Sequence, residues 1–348
     1  MCRKKFPNLG GLEKGPRWER RAEEAASCSV STGVARFEFR KNSEKTGVRA
    51  GNPPFGSWRE ALTCFRTILE EPESPIQPEK IPMKLEMISR LPETGDEATP
   101  LLFLHGAFCG AWVWDEHFLS YFAEHGFAAH AVSLRGHGKS DGYSKLPFTR
   151  LADYVDDLTK TIHDMEKRPI LIGHSMGGVI GQLYLRDHIL PGAVLMGSGP
   201  PHGMIASAAT TFLRSPIVST QLSLMHIFGS DATSRNAMCK IMFSNETPRE
   251  AALDFLRRTQ PESYRVVFDL SWPYIPRNRG TPLLVLGAEN DFFVAPYVVR
   301  ATAKAYKLKA EIFPKMGHAM MAEVRWREVA DRIMKWIREQ SPSRPAQG

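Results

Sequence analysis

A serine stands in a short glycine-flanked motif whose residue types suit nucleophilic catalysis. Residues 173–177 read GHSMG, directly after the apolar run 170–173 and directly before the helical run 177–188. A sharp strand-to-helix turn strains the serine backbone, and glycines are expected on either side because side chains there would collide with neighbouring elements. The following helix would offer N–H groups to a developing oxyanion. We therefore predict that Ser175 is a nucleophile, the alternative being an ordinary turn with an inert serine.

Two later residues could activate this serine. A serine hydroxyl needs a histidine base, which in turn needs a carboxylate to orient it. In hydrolases built on this turn, the acid and then the histidine follow late strands. The predicted strand 283–287 leads into Asp291, and the strand 310–313 leads into His318. Glu289 is a rival acid, but it lies nearer the strand end and is expected to face elsewhere.

The oxyanion of an acyl-transfer intermediate needs two hydrogen-bond donors. One is expected from the residue after the nucleophile and the other from the loop after an early strand. The predicted strand 101–105 leads into Gly106 and Ala107. We predict that the backbone N–H groups of Ala107 and Met176 are these donors, on the basis of position alone.

Short β-rich runs alternate with helical stretches beyond Pro82, which predicts an α/β fold with a mostly parallel, doubly wound sheet. The predicted strands are 84–89, 101–105, 128–133, 170–173, 193–197, 283–287 and 310–313. The predicted helices are 114–124, 151–165, 177–188, 296–305 and 325–338. The core of the domain is thus expected to comprise residues 81–199 and 280–340.

Residues 200–279 interrupt the alternation and contain helical patches without a convincing strand, as expected of a helical cap inserted into the core. The patches are 206–213, 232–242 and 248–258. Apolar side chains are abundant in this interval, which favours a lipophilic or aromatic substrate. We predict substrate contacts for five residues, namely Phe108, Trp112, His174, Phe212 and Met225.

Composition limits the other functional classes. The formal net charge is +7, but the first 80 residues hold 15 basic and 11 acidic side chains, and the rest is nearly balanced. We therefore expect a basic, disordered extension over residues 1–80, a flexible tail over 341–348 and no nucleic-acid partner. No apolar run reaches the length of a membrane span, so we expect no stable membrane insertion, and the lack of a signal-like stretch favours the cytoplasm. The oligomeric state stays open.

Several other reactive side chains receive no direct role. The five cysteines lack disulfide-like or metal-ligand spacing, and Cys109 is expected to be a small packed side chain. His105 and His174 are expected to anchor loops. His137 is a weak alternative for direct catalysis. No histidines fall at zinc-site spacing, so we predict no metal.

Taken in order, these motifs resemble those of the α/β-hydrolase superfamily, over about residues 81–338. They are HGAF, RGHGKS, GHSMGG, GAEND and MGHAM. Residues 105–114 are similar to the oxyanion loop of plant methyl-ester esterases and related bacterial esterases, and GHSMGG also resembles monoacylglycerol lipase-like enzymes. The resemblance implies a serine hydrolase that cleaves a small-molecule ester or thioester without a cofactor.

The same resemblance leaves alternatives open. A thioesterase, an acyltransferase, a C–C bond hydrolase and a cofactor-free perhydrolase could share these three residues. A ligand-binding receptor that kept the fold but turns over slowly or not at all belongs to a different class. An aspartate in place of Ser175 would indicate a dehalogenase or an epoxide hydrolase.

Overall fold

The structure, a computed structural model, describes residues 83–93, 98–204 and 235–340. The predictions for residues 1–80 and 341–348, and the predicted substrate contacts of Phe212 and Met225, lie outside the described residues.

Seven strands form one sheet in the spatial order β1-β3-β2-β4-β5-β6-β7. Only β1 is antiparallel to its neighbour, and the other pairs run parallel. The strands are β1 (Met87–Arg90), β2 (Leu101–Leu104), β3 (Ala129–Val132), β4 (Ile170–His174), β5 (Gly192–Met196), β6 (Leu283–Ala288) and β7 (Glu311–Phe313). The predicted fold class is therefore confirmed.

Helices cover both faces of the sheet. They are α1 (Trp112–Asp115), α2 (Phe118–Glu124), α3 (Leu151–His163), α4 (Met176–Tyr184), α5 (Arg235–Met242), α6 (Arg249–Arg257), α7 (Tyr264–Ser271), α8 (Pro296–Ala305) and α9 (Trp326–Gln340), with a 3₁₀ helix at Tyr143–Phe148.

Alternate residues of the central strands divide the core into two layers. In β2, Leu101 and Phe103 pack with α1, α2 and α9, whereas Leu102 and Leu104 pack with α3 and α4. Successive side chains of a strand point to opposite faces, so a strand covered on both sides is apolar throughout. Because β2, β4, β6 and β7 run in the same direction, the residues at their carboxyl ends lie at one edge of the sheet.

Local structure differs from the predictions at three places. The predicted helix 114–124 is two helices, α1 and α2, interrupted at His117, whose ring stacks on Trp326 at 4.6 Å. The 3₁₀ helix was not predicted. Helix α7 lies outside the predicted helical patches. Its Val-Val-Phe content does not favour a helix, yet Ser263 caps it by accepting a hydrogen bond from the Val266 N–H group.

Between β5 and β6 lies the segment that we call the insertion, residues 197–282, of which 205–234 are not described. Its described part contains α5, α6 and α7. Helices α5 and α6 agree with the predicted patches 232–242 and 248–258 to within a few residues at each end.

Candidate active site

Ser175 occupies a strained turn between β4 and α4. Its φ of 52° and ψ of −117° lie in a region that side-chain-bearing residues rarely adopt. A Cβ at Gly173 would lie 2.6 Å from the Gly177 carbonyl oxygen, and one at Gly177 would lie 2.5 Å from that of Leu104. Both glycines are thus required by close backbone approach, as the motif predicts.

Three side chains from three loops form one hydrogen-bonded chain. The His318 Nε2 atom lies 3.0 Å from the Ser175 hydroxyl oxygen, and its Nδ1 atom lies 2.7 Å from Asp291 Oδ2. His318 and Asp291 are buried, and Ser175 is half-buried. With Nδ1 protonated towards Asp291, Nε2 is left free to accept the serine proton.

The carboxylate of Asp291 is itself held in place. Its Oδ1 atom accepts hydrogen bonds of 2.8 Å from the N–H groups of Phe293 and Val294. Glu289, the rival acid, is exposed and accepts a hydrogen bond from the Lys315 N–H group instead. The structure therefore brings Asp291, and not Glu289, to His318.

The loop after β2 reaches the serine. A Cβ at Gly106 would lie 3.0 Å from the Ser175 Cβ, so the backbone of this loop passes directly beside the nucleophile position. Ala107 follows in the same loop, and Met176 is the first residue of α4. Both predicted donors thus belong to backbone that flanks Ser175, at the positive end of α4.

Comparison with known proteins decides the family. Residues 101–332 match the sequence model of the alpha/beta hydrolase family. The chain belongs to the alpha/beta hydrolase family.

Individual relatives of this family member are distant. Epoxide hydrolase 3 of Xenopus tropicalis is 25% identical over 277 residues, which cover 71% of this chain and 73% of the relative. A pimeloyl-[acyl-carrier protein] methyl ester esterase of Proteus mirabilis is 32% identical over 94 residues, 27% of this chain and 33% of the relative. The solved structure of an esterase from Exiguobacterium antarcticum shares 17% identity over 74% of this chain and 96% of that one, with a TM-score of 0.57. The last likeness concerns the fold alone.

Two buried histidines of this hydrolase-family chain anchor loops, as predicted. His105 Nε2 accepts a 3.0 Å hydrogen bond from the Leu134 N–H group, and Nδ1 lies 2.8 Å from the Gly106 carbonyl oxygen. Burial, reinforced by His137, lowers the pKa of His105 to about 3. His174 donates from Nε2 to the His318 carbonyl oxygen at 2.9 Å, and burial lowers its pKa as well. A neutral ring fits the contacts of His105 because they need one donor and one acceptor nitrogen.

His137 lies away from the serine, in a buried ion pair. Its Nε2 atom is 3.2 Å from Glu262 Oε2, and both side chains are fully buried. Burial opposes the charge on His137, but the carboxylate of Glu262 outweighs it and raises the pKa of His137. Cys109 is buried too, and burial raises the pKa of its thiol to about 12, which makes it a poor nucleophile.

The structure describes three of the five residues with predicted substrate contacts, and each has different packing partners. Phe108 packs with Met238 and Ile241 of α5. Trp112 packs against Phe255 at 5.0 Å, with the Arg258 guanidinium 4.0 Å from its ring centre. His174 lies beneath His318. Their substrate contacts stay predictions.

Sequence reasoning missed three residues close to the site. The Phe293 ring lies 4.9 Å from that of His318 and packs with the same α5 cluster as Phe108. Glu262 and Glu323 are buried carboxyl groups that contact the two loops flanking Ser175. The position of Phe293 two residues after Asp291 is the one sequence signal that could have indicated its place.

Within residues 83–93, 98–204 and 235–340, no three histidine, cysteine or acidic side chains come together as metal ligands. No helix in these ranges is long and apolar enough to cross a bilayer.

Proposed function

We propose that this hydrolase-family protein is a serine esterase that cleaves a small-molecule carboxylic ester through an acyl-enzyme on Ser175. The observation that carries the proposal is the hydrogen-bonded chain from the Ser175 hydroxyl through His318 to Asp291. Such a chain raises the nucleophilicity of the serine as the histidine takes its proton. The strained turn presents the hydroxyl beside two backbone segments that can receive an oxyanion.

In the proposed cycle, His318 Nε2 takes the proton of Ser175 while the Ser175 oxygen attacks the ester carbonyl carbon. The N–H groups of Ala107 and Met176 hold the resulting oxyanion. The imidazolium then gives its proton to the departing alkoxide, and the alcohol leaves. A water molecule next gives a proton to His318 as its oxygen attacks the acyl carbon, and collapse returns the proton to Ser175 and releases the carboxylic acid.

An apolar wall beside His318 supports a lipophilic or aromatic substrate. Buried Met238 and Ile241 of α5 form one cluster with four partly buried side chains, among them Phe108 and Phe293. The Phe293 ring contacts His318, and Phe108 follows the proposed donor Ala107. This cluster therefore adjoins both the proposed base and a proposed oxyanion donor. We propose that the insertion caps the site and that this cluster receives the apolar part of the ester.

The epoxide hydrolase relative raises the question of epoxide opening. Attack of a carboxylate on an epoxide gives an ester, which water can hydrolyse, whereas attack by Ser175 would give an ether with no carbonyl for water to attack. Such an adduct would be a dead end. We therefore favour ester hydrolysis.

A probe and a substrate panel test the proposal. A fluorophosphonate probe should label the wild type and fail to label Ser175→Ala, and p-nitrophenyl ester hydrolysis should fall by about 10⁶-fold in the variant. Rates on acetyl, long-chain and aryl esters and on acyl thioesters would define the acyl group. Undiminished hydrolysis by Ser175→Ala would end the proposal, and labelling without multiple turnovers would favour a slow receptor.

A further inference from the structure

The loop that carries His318 is tied to the insertion through the buried side chain of Glu323. Glu323 Oε1 accepts the Gly317 N–H group at 2.7 Å and the Ser244 N–H group at 2.6 Å. Its Oε2 accepts the hydroxyl groups of Ser244, at 2.8 Å, and Thr247. One carboxyl group thus joins the residue before His318 to the segment between α5 and α6.

The residue after His318 is held by the insertion directly. The Ala319 N–H group donates to the Met242 carbonyl oxygen, the last of α5, at 2.9 Å. A Cβ at Gly317 would lie 2.7 Å from that same oxygen and 2.7 Å from Glu323 Oε1. Glycine is required here because of this close approach. The N–H groups of Gly317 and Ala319, the residues on either side of His318, are thus held by Glu323 and by the Met242 carbonyl oxygen.

The loop after β2 is tied to the insertion in the same manner at Phe108. Phe108 has a φ of 64°, a left-handed conformation that costs energy in a bulky residue. Its carbonyl oxygen accepts the Gln260 N–H group at 2.9 Å, and its N–H group points to Glu262 Oε2 at 3.4 Å. Two residues of the insertion, Gln260 and Glu262, therefore hold the C=O and N–H groups of one strained residue.

The carboxyl group of Glu262 has further partners besides Phe108. Its Oε1 atom accepts the Tyr154 hydroxyl at 2.7 Å and the Ser263 N–H group at 2.8 Å, while Oε2 faces His137. A fully buried carboxyl group with this many partners has little freedom to move. It can therefore serve as a fixed acceptor for the Phe108 N–H group of the neighbouring loop.

We propose that Glu323 and Glu262 are positioning residues through which the insertion sets the geometry of the active site, Glu323 by holding the His318 loop and Glu262 by holding the Ala107–Phe108 loop. The inference rests on the proposed function. A buried carboxyl group stabilises a fold no better than a well-packed apolar side chain does. Its specific contribution here is a set of directed contacts to the backbone beside the base and beside a proposed oxyanion donor.

Glu323 can be tested with a pair of variants. Glu323→Met keeps the side-chain volume but leaves the Gly317 N–H group without its acceptor. We expect kcat on a p-nitrophenyl ester to fall about 10- to 100-fold with KM little changed, because misplacement of the base affects the chemical step. Glu323→Gln retains one oxygen for the two N–H groups, while the Ser244 and Thr247 hydroxyls can turn to accept from its amide. It should recover most of the lost rate. Glu328→Gln, an exposed change nearby in the chain, is the control.

The positioning role of Glu262 is tested by measuring how tightly an inhibitor binds at the oxyanion site. In Glu262→Gln, the amide oxygen can serve Tyr154 and Ser263, which turns the amide NH₂ group towards the Phe108 N–H group. The inhibition constant of an aryl trifluoromethyl ketone, whose hemiketal with Ser175 carries an oxyanion, should rise about 10- to 100-fold. Inhibition by the corresponding carboxylic acid product should be nearly unchanged. Glu250→Gln, exposed on α6, is the matched control.

Merely structural roles would lower thermal stability while kcat and the inhibition constant of the folded variants stay at wild-type values, and that result would overturn the inference. If Glu323→Met does not fold, Thr247→Val, which removes one hydroxyl from Glu323, should lower kcat in the same sense, and an unchanged kcat would count against it. Fluorophosphonate labelling of the wild type separates the two proposals. A labelled wild type with insensitive glutamate variants refutes only the positioning role, whereas an unlabelled wild type refutes the esterase itself.

Discussion

The ring of His174 donates its Nε2 hydrogen to the carbonyl oxygen of His318 at 2.9 Å, although these histidines are 144 positions apart in the chain. The two ring centres are 4.7 Å apart. The residue before the nucleophile thus holds the backbone of the proposed base and packs against its ring. The second residue of the GHSMG motif therefore has a definite structural task in this protein.

Replacement of His174 should therefore affect both stability and rate. His174→Phe leaves the buried His318 carbonyl oxygen without its donor, at a cost of about 1–3 kcal/mol in unfolding free energy. We expect kcat for a p-nitrophenyl ester to fall at least about tenfold because the loop of the base loosens. Urea unfolding and steady-state kinetics measure the two effects. His163→Phe, at a side chain that is 87% exposed, is the control, and equal behaviour of the two variants would contradict the prediction.

Asp291→Asn should lower kcat by about 10⁴-fold, because an amide can present its NH₂ group to His318 and favour the wrong tautomer of the ring. KM should change much less, since Asp291 is buried behind the histidine. Glu289→Gln provides a matched control two residues earlier. A large kcat loss in the Glu289 variant, with activity retained in the Asp291 variant, would reverse the assignment of the acid.

Ser175→Gly should be inactive yet more stable than the wild type. The positive φ of Ser175 costs about 1–3 kcal/mol in a residue with a Cβ. Glycine relieves that strain but loses about 0.5–1 kcal/mol through greater freedom of the unfolded chain. We expect a net gain of about 1 kcal/mol in urea unfolding. Ser175→Ala keeps the Cβ and should show no such gain; if both variants are equally stabilised, backbone strain is not the cause.

The ion pair of His137 and Glu262 predicts a pH dependence of stability. The pKa of His137 is raised, so its contribution is fully present below the pKa of an unfolded histidine, about 6.5, and is lost as pH rises through the higher folded value. Burial opposes ionisation of Glu262, but His137 and the hydrogen bonds of the site lower its pKa, so the contribution of Glu262 is lost only as pH falls through that lower value.

Urea unfolding of the wild type and of His137→Gln measures this dependence. The difference in unfolding free energy between the two proteins should be largest near pH 6 and should shrink steadily towards pH 9. A difference that stays constant over this range would show that His137 contributes without its charge.

Much of the site could be predicted because its signals are local. The strand, glycine, serine, glycine and helix succession around Ser175 reflects backbone geometry within about ten residues. Asp291 and His318 could be placed because parallel strands deliver their carboxyl ends to one edge of a sheet. The break between α1 and α2 and the helical state of α7 escaped prediction, since packing against Trp326 and capping by Ser263 override local propensity there.

The amino-acid sequence by itself predicted the parallel sheet and the three residues that it brings together, Ser175, Asp291 and His318. The signals were hydrophobic periodicity and turn chemistry, which act over short distances. The tertiary structure decided the task of His174 and the contacts of Glu262 and Glu323. Glu262 reaches Phe108 across 154 residues of chain and Glu323 reaches Ser244 across 79. Such contacts exist only after the described part of the insertion has packed beside the sheet, because buried hydrogen bonds depend on which distant backbone groups are brought together in space.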